Sequence, residues 1–136
     1  MDPQDFLNVA RAFYSSPDEA HRRTAVSRAY YALYLTAHQV LETEGLPVTR
    51  RWGAHAEVRD FLRDAGDAEA RAVADGLQDL SSDRVEADYR MTLLRFNSKT
   101  CALIVAKAQL LLATVSRWTP AAKGTIAANI KAARGW

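Results

Sequence analysis

With 136 residues, 49% apolar and 25% charged, the chain has material for one domain around one core and is excluded from the disordered and fibrous classes. Its one cysteine, Cys101, excludes an internal disulfide. The net charge of +2 conceals an asymmetry: residues 1–88 hold all sixteen acids against ten Lys and Arg, whereas residues 89–136 hold eight Lys and Arg and no acid. A basic C-terminal third can serve nucleic acid, an acidic partner or the chain's own acidic half.

The elements are helical throughout. Asp2 is placed to cap a first helix, with Pro3 at its first position, and Phe6, Val9, Ala10 and Phe13 form its apolar stripe. Ser16-Pro17-Asp18-Glu19 reads as a capping box that opens a second helix running to Glu44, where Gly45 and Pro47 stop it. Val26, Tyr30, Leu33, Ala37 and Val40 make its main stripe. A loop with Pro47, Arg50, Arg51, Trp52 and Gly53 follows, then a third helix over Ala54–Ala65 ended by Gly66. The fourth helix is expected from about Ala68 to Ser81 on the stripe Val73, Leu77, Leu80, with residues 81–92 as a polar junction. Asn97 or Ser98 caps a fifth helix to Arg117 or Trp118, apolar nearly all round and therefore central or in a subunit interface. Thr119-Pro120 ends it. The expected fold is all-α, an up-and-down bundle of about five helices over residues 1–119 with two long helices as its spine. Residues 120–136 are expected to be a basic C-terminal tail, either a short helix or loose.

The opening Asp2 and Asp5 do not suit a signal peptide, and the most apolar stretch, Ala102–Val115, is short for a bilayer span and contains Lys107. The expectation is a cytoplasmic protein with no membrane contact. Cys101, inside that apolar stretch, is expected in the core.

Several polar residues sit awkwardly in a plain bundle. Arg84 continues the phase 73, 77, 80, 84 toward the interior, with Asp88 one turn on. That arrangement reads either as a buried ion-paired staple or as a cation aimed into an anion-binding groove. Arg28 and Tyr31 share a face of the second helix, and Tyr14, Tyr30, Tyr31 and Tyr34 crowd twenty-one residues. These rings either pack helix on helix or present hydroxyls to a ligand. His55 lies on the apolar face of the third helix near its N-terminus, where the imidazolium is disfavoured. His21, His38 and His55 share no metal-ligand spacing, and no metal or cofactor motif is present.

Arg28-Ala29-Tyr30-Tyr31-Ala32, His55 opening the next helix, and Arg84-x-x-Ala87-Asp88-Tyr89 before the last long helix resemble the HEPN family, most closely its small stand-alone members, over roughly residues 5–116. The resemblance implies a helical bundle that forms a homodimer with two junction motifs facing one another in a cleft. Active members are metal-independent ribonucleases in which an arginine, followed four to six residues on by a histidine, helps a ribose 2′-hydroxyl attack the adjacent phosphate. Arg84 matches the arginine, and Tyr89 holds the nearest of the histidine positions. His55 is the candidate for the missing imidazole. By this reading Arg84, Tyr89, Asp88 and His55 are the catalytic candidates, Arg28, Tyr31 and Arg84 bind RNA or phosphate, and no cofactor or metal takes part.

Two functions follow from the resemblance. One is an endoribonuclease toxin of a toxin–antitoxin or defence system. The other is a catalytically silent dimer that binds RNA, a nucleotide or a partner, with a nucleotidyltransferase-like protein or an antitoxin as candidate partners.

Overall fold

The computed structural model describes residues 1–49 and 54–136, which form α1 (Pro3–Phe13), α2 (Glu19–Thr43), α3 (Ala54–Asp64), α4 (Ala68–Tyr89), α5 (Ser98–Ser116) and α6 (Pro120–Ala133), with no strand among them. The expected loop at Arg50, Arg51, Trp52 and Gly53 lies outside the described residues.

Local chemistry sets the ends. Asp2 and Asp5 form a reciprocal capping box, with Asp2 accepting from the Gln4 amide at 2.9 Å. The α2 cap is Asp18, which accepts from the Ala20 amide at 2.9 Å, while Ser16 Oγ accepts from the Asp18 amide at 3.1 Å. The expected Ser16 box is thus displaced by two residues, because a second side chain able to cap follows Pro17. At the far end Gly45 takes φ +81° and lets the Leu46 amide bond to Leu41 O at 3.1 Å, which an L side chain there would disfavour.

Two expectations need correction. The fourth helix continues to Tyr89 instead of ending near Ser81. No glycine or proline interrupts residues 77–95, Arg84 and Asp88 pair one turn apart, and Arg23 of α2 closes the end. The Arg23 guanidinium, in a residue 7% exposed, donates to Ala87 O at 2.9 Å, Arg90 O at 3.1 Å and Leu93 O at 2.7 Å. It thereby satisfies carbonyls that a helix end leaves without partners. The described residues form six helices where about five were expected. Thr119 and Pro120 start α6, whose Ile126, Ala127 and Ile130 are buried. Asn129 Nδ2 donates to Ala65 O at 3.0 Å, and Arg134 bonds Asp64 at 2.8 Å while lying 4.2 Å from the Phe61 ring centre. Ile130 is 0% exposed. Ile130→Ala is therefore expected to cost about 2–3 kcal/mol, the low end for a core isoleucine, since α6 is peripheral and can settle. A urea midpoint unchanged from wild type would show that α6 adds nothing to the core.

α2 is the centre of the bundle, touching α1, α3, α4 and α5. The contacts give directions. Asp79–Lys107 at 2.7 Å and the approach of Gly76 to Leu111 set α4 and α5 antiparallel. Arg23 near Ala87 and Tyr30 near Arg84 set α2 and α4 antiparallel. Arg22 Nε donating to Phe96 O at 2.8 Å, just before α5, then makes α2 and α5 parallel. α3 meets α4 with His55 near Arg84 and Arg63 on Gln78 at 2.6 Å, so it also runs parallel to α2. With α2 and α3 parallel, the topology is not a strict up-and-down meander.

On α1 the buried stripe centres on Leu7 and Ala10, flanked by Phe6 and Phe13, while Val9 faces outward at 38% exposure. Cys101 is fully buried, its thiol near Arg22 O, and burial pushes that thiol's pKa up. α5 packs one face on α2 and α4 and leaves Leu103 and Leu110 each 66% exposed. By length and composition its 19 residues would suffice to cross a bilayer, a test that the core helix of a soluble bundle also passes.

Candidate functional site

The α2–α3–α4 junction brings an arginine, a carboxylate, an imidazole and three phenols together. Arg84 continues the buried face of α4, where alternatives would be leucine or alanine. Its side chain is 17% exposed, and its guanidinium lies 5.5 Å from the ring centres of both Tyr30 and Tyr31. A cation over two ring faces gains about 0.5–2 kcal/mol, more as water is removed. One nitrogen donates to Asp88 Oδ2 at 3.3 Å, and Ser27 Oγ donates to the same oxygen at 3.4 Å. Arg84 Nε is buried and has no hydrogen-bond partner among the described residues. A guanidinium carries five N–H donors, so this one is held in place by rings and one carboxylate with donor capacity to spare.

His55, on the first turn of α3, stacks on Tyr34 at 4.2 Å and 17° and lies nearly parallel to Tyr30 at 5.6 Å. Tyr31 meets it edge-on at 6.0 Å. The Tyr30 hydroxyl is in hydrogen-bond contact with His55 Nδ1. Burial, and then the charges of Arg84 and Arg59, hold the His55 pKa below its ordinary 6.5. Burial pushes the Tyr30 phenol up to about 12, against the opposing charges of Arg59 and Arg84. Burial also raises Tyr34, helped by Glu57. Near neutral pH the cluster therefore holds a neutral imidazole at His55 and protonated phenols at Tyr30 and Tyr34, beside the cations Arg84 and Arg59.

A pH dependence follows. The unfolded imidazole titrates near 6.5 and takes a proton more readily than the folded one. His55's contribution is thus complete above about pH 6.5 and is lost as the pH falls from there toward the lower folded value. Urea midpoints measured from pH 7.5 to pH 5 should drop more for wild type than for His55→Gln. Parallel curves would show that His55 titrates alike in both states.

Of the residues singled out in the sequence, Arg84, Asp88, His55 and Tyr31 meet. Arg28 does not: its guanidinium sits 5.5 Å over Phe6 on the α1 side. Tyr89 does not either. Five residues beyond Arg84 it lies on a different face of α4 and is 72% exposed. Tyr30, Tyr34 and Ser27 belong to the cluster although they were outside the candidate set. Their spacing 27, 30, 31, 34 puts them on one α2 face, the signal that could have gathered them. Among the described residues no group of His, Cys, Asp and Glu side chains is arranged to hold a metal ion. His21 instead stacks on Phe13 at 4.7 Å, and His38 sits 3.6 Å from Glu42.

No protein-family model matches the chain, and no curated protein or solved structure matches it.

Proposed function

We propose that the chain is an RNA-directed protein of HEPN type, acting in the cytoplasm as a homodimer, and that its α2–α3–α4 cluster grips a phosphodiester. The observation that carries this reading is Arg84, positioned by Tyr30 and Tyr31 with a buried Nε that has no partner among the described residues, next to a neutral imidazole. An arginine whose only role was to staple the junction would have its donors filled; this one keeps donor capacity beyond its pair with Asp88, and a planar fork is suited to phosphate.

Metal-independent cleavage is the activity this arrangement supports. The ribose 2′-oxygen would bond to the neighbouring phosphorus as the bond to the 5′-oxygen breaks, leaving a 2′,3′-cyclic phosphate and a 5′-hydroxyl. Arg84 would stabilise charge gathering on the phosphoryl oxygens. Asp88, whose Oδ1 is engaged by neither Arg84 nor Ser27, would take the 2′-hydroxyl proton. His55 would contact the phosphate, and water would protonate the leaving oxygen. Tyr89, exposed one turn beyond, would stack on a base at the rim. A toxin held in check by a cognate antitoxin is the biological role that fits such an activity.

The position of Tyr89 favours a second reading. The residue at the place of the motif histidine is a phenol that faces away from Arg84, so the cluster can bind without cutting. The protein would then be a silent dimer that presents RNA or a nucleotide to a partner such as a nucleotidyltransferase-like protein. Incubation of wild type, Arg84→Ala and His55→Ala with mixed cellular RNA in EDTA separates the two. Cyclic-phosphate ends made by wild type and lost in Arg84→Ala support the ribonuclease. RNA retained by wild type without cleavage supports the binding module. Neither cleavage nor retention by folded wild type would dismiss both.

A further inference from the structure

We infer that Tyr30 is a positioning residue that fixes His55 with its proton on Nε2, so that Nε2–H and the Arg84 guanidinium act together as donors to one oxyanion. The inference rests on the phosphodiester reading and assigns His55 the part of a neutral hydrogen-bond donor, not a base.

The argument starts at Nδ1. Tyr30 Oη and His55 Nδ1 are in contact, and two hydrogen bonds are conceivable. Either the phenol donates to a bare Nδ1, or Nδ1–H donates to the phenol oxygen. An imidazole nitrogen is far more basic than a protonated phenol oxygen, and the phenol is the better donor, so O–H···Nδ1 is the stable pairing. Tyr30 is 0% exposed, so its hydroxyl has no bulk water to donate to in place of Nδ1. A neutral imidazole that accepts at Nδ1 carries its hydrogen on Nε2. The ring cannot readily swing away, since Tyr34 stacks on it at 4.2 Å and Tyr31 meets its plane edge-on. The groups facing His55 are Tyr30, Tyr31 and Tyr34 from α2, Arg84 from α4 and Arg59 from its own helix. Both charged neighbours are cations, which oppose a second proton and keep the ring neutral. Tyr30 also lies beneath the Arg84 guanidinium at 5.5 Å, so one side chain orients both donors.

The experiment uses the intact protein with ¹⁵N-labelled histidine, the His55 signals being assigned by their loss in His55→Gln. In wild type at neutral pH, Nε2 should carry the proton and Nδ1 should show an unprotonated, hydrogen-bonded shift. Tyr30→Phe removes the donor while keeping the ring, and Nδ1 should lose its hydrogen-bonded shift, with the proton no longer confined to Nε2. Adding a deoxydinucleotide monophosphate, which lacks the 2′-hydroxyl and cannot be cleaved, should move the Nε2 signal in wild type. Its affinity should fall several-fold in Tyr30→Phe and be lost in Arg84→Ala. A proton on Nδ1 in wild type would overturn the inference without any variant, which guards against a Tyr30→Phe protein that fails to fold. Unchanged Nδ1 and Nε2 signals in folded Tyr30→Phe would overturn it too. The expected protonation with no response to the dinucleotide would instead overturn the phosphodiester reading, and with it the paired-donor role, leaving the Tyr30–His55 bond as interior packing.

Discussion

Replacing Arg23 with alanine is expected to destabilise the fold by about 3–5 kcal/mol, the range for breaking a buried charged network. The guanidinium binds Ala87 O, Arg90 O and Leu93 O at 2.7–3.1 Å, and lies 5.0 Å over the Phe96 ring. Its removal leaves a hole and strips Ala87 O and Leu93 O of their donors, while Arg90 O keeps the Leu93 amide at 3.1 Å; each carbonyl left bare costs about 1–3 kcal/mol if water cannot reach it. For a chain of this length the melting temperature should fall by roughly 10–15 °C. Arg23→Lys should recover only part of this, because a single ammonium cannot span carbonyls presented by several residues. A loss below about 1 kcal/mol in chemical denaturation would mean that the α4 end is held by other contacts.

Arg84→Ala is expected to do the opposite: little to the fold and much to RNA. The guanidinium makes one ion pair, at 3.3 Å, to an Asp88 side chain that is 31% exposed, and pairs of that kind contribute about 0–1 kcal/mol. Its buried Nε gains nothing from the native state. The stability cost should therefore stay near 1–2 kcal/mol, mostly lost contact with Tyr30 and Tyr31. RNA cleavage should fall by about 10²–10³, the usual cost of deleting one charge-stabilising donor. A loss of 3 kcal/mol or more in stability, with RNA handling intact, would identify Arg84 as a staple and remove the site.

Much of the bundle was legible from spacing. The stripe Val73, Leu77, Leu80 is buried, Asp2 and Asn97 do cap their helices, and Cys101 lies in the core. What spacing did not show depends on distant partners. Ser81 as an end for α4 rested on polarity, but the acids at 83–88 have distant partners, Asp83 and Glu86 in Arg95 and Asp88 in Ser27, while Arg23 binds the backbone of the helix end. Arg23 sits three residues before Val26, in phase with the α2 stripe, and that phase already marks it as interior. The tail read as either a short helix or loose because Ala-rich sequence has a weak apolar stripe; its binding to Phe61 and Ala65 at the α3 end is tertiary. Phase showed Arg84 with Asp88, and His55, each facing inward; only the resemblance joined His55 to Arg84. Whether Arg28 and Tyr89 share that site was not legible, because family spacing and a shared helix face fix neither the partner helix nor the side it packs on.

The central place of α2 has a consequence for how the protein is made. Its polar anchors lie far along the chain: Arg22 reaches Phe96, 74 residues later, and Arg23 reaches Leu93, 70 residues later. At a synthesis rate of about 5–20 residues per second, α2 waits roughly 4–15 s for these partners. During that time α1 can cover one side of it, while the rows that will meet α4 and α5 stay open. Such distant closures also slow folding relative to helical proteins built from neighbouring pairs. Nascent chains halted before α5 has left the ribosome should thus be the aggregation-prone species, and α2 can be enclosed on all sides only once the chain through Ser116 has emerged.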